Sequence, residues 1–249
     1  MAYPFAVKIA TGKINAVSGE SWRGGLSREP QDYVVVPEQP WLDGYTVEKG
    51  IIRQFVAMPL GGGYSAEEQV PGNAEHGGLQ IVAYPMKREV FERRFSKSRI
   101  GDRRGGWQDS GVCAVVAEFS MGMAPGGRME QEVHEDPYEA GDWDLDHQSR
   151  CFVHIANSMV WRQVTGENPP TTPPTAKEYT DLGLPWFDWY DDENQALAGS
   201  AALAAMKSVA ALGKEKADVP LPENQPVTPG NVIALGTGRR PRRVREFVD

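Results

Sequence analysis

Glycine and proline cut this chain into short pieces, and that punctuation limits its fold more than any other feature. The 27 glycines and 19 prolines in 249 residues supply many turns and leave few stretches long enough for a helix of several turns. Between them stand short runs with two-residue alternation. Phe5, Val7 and Ile9 fall on one face of an extended segment with Lys8 on the other. Thr11-Gly12-Lys13 then supplies a turn and Ile14 to Val17 returns, the pattern of a β-hairpin.

Further strand signals follow. Tyr33 to Val36 is a β-branched run stopped by Pro37. The most continuous signal covers Thr46 to Met58, with Gly50 marking a bulge or a tight turn. Gly78 to Tyr84 and Val112 to Met123 are further candidates, and Ala124-Pro125-Gly126-Gly127 suits a type II turn leading into a strand over Arg128 to His134. One segment changes period. Phe91 and Phe95 stand four apart, as do Glu89 and Arg93, which predicts a short amphipathic helix over 87–98.

Past residue 165 the character shifts. Ser158 to Thr165 reads as a short helix ending at Gly166, and Pro169 to Pro174 as a stiff extended spacer. Thr175-Ala176-Lys177-Glu178 has the spacing of a capping box, and Ser200 to Leu212 is Ala-rich and helical. These signs predict a mainly β fold, a β-sandwich or jelly-roll-like body with a short C-terminal helical region; an α+β arrangement is the alternative. The divisions are a β-rich body over 1–165, a Pro-rich spacer with short helices packed on it over 166–212, and a linker with a basic tail over 213–249.

The formal net charge of −8 disfavours broad nucleic-acid binding. The N-terminal residues lack the basic and apolar regions of a secretion signal, and no segment approaches the roughly 20 apolar residues that span a bilayer. The expectation is a cytoplasmic protein, with Cys113 and Cys151 as buried reduced thiols.

Three constellations carry chemistry. In the acidic stretch 134–147, Asp142, Asp144 and Asp146 at alternate positions would direct carboxylates to one side of an extended loop, with His134 and His147 as further metal ligands. The match to an EF-hand loop fails, because His147 stands where glycine is needed and Val153 where a bidentate glutamate is needed. The second is Pro185 to Asp192, where Trp186, Trp189 and Tyr190 beside carboxylates would stack on sugars, hold cations or anchor a partner. The third is the tail, where Arg239, Arg240, Arg242, Arg243 and Arg245 would dock on an acidic partner or a second copy of the chain.

Other signals are weaker. Gly61-Gly62-Gly63 lacks the lysine of a phosphate loop, and His76 beside Glu75 is a lone loop histidine. Cys151 and His154 share a face only on a helix. No Gly-x-Ser-x-Gly elbow is present. The leading expectation is therefore a non-enzymatic binding or assembly module of unknown ligand that associates with itself or another protein. The alternatives are a metal-dependent hydrolase built on 134–147, taking a divalent cation as its cofactor, and a carbohydrate- or small-ligand-binding protein.

Overall fold

The alternation of the first hairpin places strand β1 (Phe5–Thr11) at the centre of a sheet. The computed structural model describes residues 3–95, 121–171, 174–190, 195–218, 227–236 and 246–247. One edge of β1 pairs antiparallel with β2 (Ile14–Asn15) and β3 (Val34–Val36). Its other edge pairs with β6 (Leu79–Pro85), and β6 in turn with β8 (Ser149–Val153), both antiparallel.

The strand signal over 46–58 resolves into β4 (Gly44–Glu48) and β5 (Ile51–Pro59), joined through Gly50 at φ 75°. That positive φ suits glycine and makes the turn, not a bulge. β5 pairs with β7 (Met121–Glu130), which also pairs with β11 (Glu246–Phe247), giving a second antiparallel sheet in the order β11-β7-β5-β4. Among the described residues neither sheet closes on itself. The chain is sheet-rich and its two main sheets are antiparallel.

The sheets share a core. Val7, Ile9 and Val34 of the first pack with Ile52 and Met129 of the second, and Ile14 joins Tyr45, Val47 and Phe55. The opposite face of the first sheet is also covered, by α2 (Arg88–Phe95) and Trp143 over Ala6, Tyr33, Val82 and Tyr84. Helix α1 (Ala66–Gln69) contributes Ala66 to the core between the sheets. Strand β1 is therefore buried on both faces, and Lys8, which alternation assigned to the polar side, is 1% exposed.

Three further segments depart from the sequence expectation. Ala124 to Gly127 is not a turn. β7 runs through it, and the register steps from Arg53↔Arg128 to Phe55↔Pro125, so Gly126 and Gly127 form a bulge. A Cβ on Gly126 would stand 2.7 Å from Cγ2 of Val56, so only glycine fits the sheet there. The Ala-rich stretch makes two short helices, α5 (Ala201–Ala204) and α6 (Val209–Lys216), because Ser208 caps a new start by accepting from the Ala211 N–H. Leu203 of α5 packs with Tyr45 and Val47, and Val209 and Leu212 of α6 pack with Val56, Ala124 and Tyr64. Cys151 lies exposed on β8, at the sheet edge, and Cys113 lies outside the described residues.

Helix α3 (Ser158–Thr165) ends at Gly166, φ 74°, and α4 (Ala176–Asp181) carries the capping box between Thr175 and Glu178. Beyond it, β9 (Trp186–Tyr190) pairs in parallel with β10 (Val232–Gly236). No helix among the described residues is long and apolar enough to cross a membrane.

Candidate functional site

The acidic stretch 134–147 is largely drawn into the body. His134 is buried; its backbone N–H donates to Oε1 of Gln39 and its carbonyl accepts from Nε2 of Gln31. Asp136 is a structural hub, accepting from the Tyr33 hydroxyl at 2.6 Å and the Trp143 indole N–H at 2.9 Å. Asp142 turns to Arg94, 2.8 Å away, while Asp144 receives the His147 ring nitrogen at 2.9 Å on the surface. Asp146 is exposed, with its N–H donating to Asp144. The structure therefore does not gather Asp142, Asp144 and Asp146 on one side. Among the described residues no group of three or more His, Cys, Asp or Glu is placed to hold a metal ion.

The glycine loop is closed by the chain's own anion. Oε1 of Glu68 accepts from the N–H groups of Gly61 and Gly63 at 2.8 and 2.7 Å, and Oε2 from the Ser65 hydroxyl at 2.7 Å. The backbone N–H of His76 donates to the buried carboxylate of Glu67 at 3.2 Å. Both loops are held by glutamates one residue apart on α1. His154 follows β8, its ring against Phe152. Cys151 is therefore on a strand, where a residue three positions on points to the other face.

An open cleft of about 490 Å³ lies between the loop before β4 and the segment carrying α4 and β9. Trp41 and Asp43 form one wall. That loop is fixed at several points. Gln39 donates to the Trp41 carbonyl at 3.1 Å, and the Asp43 carbonyl accepts from the Phe55 N–H at 3.1 Å. Asp43 and Gln131 bond twice, each at 3.0 Å, backbone N–H to amide oxygen and amide N–H to carboxylate.

Tyr179, Trp186 and Phe187 form the facing wall, with Pro174 and Pro185 at its ends. Capping starts α4 at Thr175, and Gly183 at φ 66° turns the chain back so that Trp186 meets Tyr179 edge-on, ring centres 5.3 Å apart. The Tyr179 hydroxyl donates to the Pro185 carbonyl at 2.9 Å and the Trp186 indole N–H to the Thr180 hydroxyl at 3.1 Å. These two rings are set by bonds within the wall. Phe187 is 50% exposed.

Asp43 is the carboxyl among the described lining residues. Its side chain is exposed, and partial burial by the protein around it raises its pKa above the ordinary value, an effect the Gln131 amide partly offsets.

Of the aromatic cluster read from the sequence, Trp186 lines the cleft. Trp189 and Tyr190 follow on β9, and their side chains lie outside the described residues, as do Arg239, Arg240, Arg242, Arg243 and Arg245. Trp41, Asp43 and Tyr179 were missed. The signal for the first two was available, since Trp41-Leu42-Asp43 pairs an aromatic with a carboxylate just as 186–188 does. Comparison with known protein families, with curated proteins and with solved structures finds no match.

Proposed function

We propose that this is a non-enzymatic binding protein whose ligand enters the aromatic cleft between Trp41 and Phe187. The observation that carries this reading is the cleft itself. Its volume of about 490 Å³ falls in the range of small-molecule sites, roughly 300–1,000 Å³. Aromatic walls with one convergent polar group are the usual lining of such sites. The scaffold, two antiparallel sheets sharing a core, is read as a sandwich-type body that holds the Trp41 loop rigid. The hydrolase alternative lacks comparable support, because Asp142 is committed to Arg94 and Asp144 to His147.

The test is saturation-transfer NMR on the full chain with a mixture of small sugars, aromatic acids and organic amines, repeated on Phe187→Ala. Phe187 is half exposed, so its truncation leaves the fold intact. At least one compound is expected to contact the native protein and to lose that contact in the variant. A mixture in which nothing depends on Phe187 would remove the cleft as a site.

A second reading, assembly with further copies of the chain, rests on β8. Every residue of this strand is exposed, it ends its sheet among the described residues, and Phe152 and Val153 on it and Trp161 and Val164 on α3 are exposed apolar side chains. Open strand edges pair with other chains unless charged or covered. Light scattering is expected to show a mass that rises with concentration for the native chain and stays monomeric for Val153→Lys. Identical monomers from both would end this reading.

A further inference from the structure

We infer that the cleft selects a small organic cation, an alkylated ammonium carried on an apolar body; this rests on the cleft being the binding site. Among the described residues, four aromatic rings and one carboxylate line it, and no lysine, arginine or histidine does. The face of an aromatic ring is the negative end of its quadrupole, so walls of Trp, Tyr and Phe attract a cation lying against them. Asp43 adds a carboxylate to the same lining.

The polar inventory separates a cation from a sugar. A sugar needs several donors and acceptors turned towards it, in addition to a ring to stack on. Here the Tyr179 hydroxyl and the Trp186 indole N–H are both used inside the wall, on the Pro185 carbonyl and the Thr180 hydroxyl. Pro174 and Pro185 offer no N–H. An alkylated ammonium asks for no such set. It needs aromatic rings for its methyl groups and one carboxylate for its charge, and the lining holds both.

The experiment is a fluorescence and calorimetric titration of the full chain with three probes: choline, its uncharged isostere with carbon in place of nitrogen, and methyl glucoside. Choline is expected to bind about tenfold more tightly than the isostere. Asp43→Asn keeps the shape of the side chain and its contact with Gln131, and is expected to shrink that preference to the share the aromatic rings supply. Isostere or glucoside binding as tightly as choline, or a preference left undiminished by Asp43→Asn, would overturn the cation assignment while leaving the cleft as a site. Silence from all three probes would overturn it too. A mixed-compound test in which no contact depends on Phe187 is the separate result that removes the cleft itself.

Discussion

Lys8 and Asp32 meet inside the body at 2.6 Å, with side chains only 2% and 9% exposed. The ammonium also donates to the carbonyls of Arg23 and Gly25 at 3.0 and 2.5 Å, and Trp22 lies beside it with its ring centre 5.7 Å away. Asp32 accepts in addition from the Ser27 N–H at 2.9 Å. The pair thus ties the 22–27 loop over the outer face of β1. Removing one partner leaves the other charge buried and uncompensated, which costs about 3–5 kcal/mol. Lys8→Met and Asp32→Asn are each expected to lose stability in that range by urea denaturation. The double variant should lose clearly less than the sum, because the stranded charge is then gone.

Glu68 gives a pH-dependent counterpart at the glycine loop. Desolvation pushes its carboxyl up, but hydrogen bonds from the Ser65 hydroxyl and from the N–H groups of Gly63, Ser65 and Gly61 together outweigh it and hold the pKa below the ordinary value. A lowered folded-state pKa means stability present above the unfolded pKa and lost as pH falls through the folded one. Because the group is partly solvated, Glu68→Gln is expected to cost only about 1 kcal/mol at neutral pH. That difference should shrink below about pH 4, as read from urea midpoints at several pH values. A constant difference down to acid pH would mean the charge contributes nothing.

Three tyrosines set the alkaline limit. Burial raises Tyr33, Tyr45 and Tyr138, and the carboxylates of Asp136 and Glu38 that accept from Tyr33 and Tyr138 raise those two further. The native state therefore keeps phenolic protons that the unfolded chain releases near pH 10, roughly. Stability is fully present below that pH and is lost as pH rises above it. Thermal melting is expected to stay level up to about pH 10 and then fall steeply, with the phenolate absorbance of these three growing only as the protein unfolds. Free ionisation of all the tyrosines in the folded protein would contradict this.

Local chemistry made much of this legible. Gly166, the Thr175 capping box and the Phe91–Phe95 spacing each act within a few residues, and α3, α4 and α2 start or stop where those signals stand. Features that depend on distant chain were not legible. Alternation put Lys8 opposite Phe5, Val7 and Ile9 correctly, but only the 22–27 loop and α2 make that second face an interior one. Pro125-Gly126-Gly127 has turn chemistry, and the partner strand β5 overrides it by absorbing the glycines as a bulge. The cleft was half visible. Trp186 stood out by its neighbours, whereas Trp41 and Asp43 lie more than a hundred residues earlier and join it only in the folded chain.

The pairing of β4 with β5 can be tested at Gly44, the residue after Asp43. Gly44 pairs with Gln54 at the start of β4, and a Cβ there would stand 2.0 Å from the carbonyl oxygen of Arg53. The obstacle is backbone, so no side-chain rearrangement relieves it. Gly44→Ala is expected to force β4 from β5 at this end and to cost about 1–3 kcal/mol. The same displacement moves Asp43, whose carbonyl bonds the Phe55 N–H, away from the facing wall. Two readouts separate the consequences. Urea denaturation should report the modest loss of stability, and titration with choline on the still-folded variant should report a larger proportional loss of binding. Full choline binding in a destabilised Gly44→Ala protein would show that the Trp41–Asp43 wall does not contribute to the site.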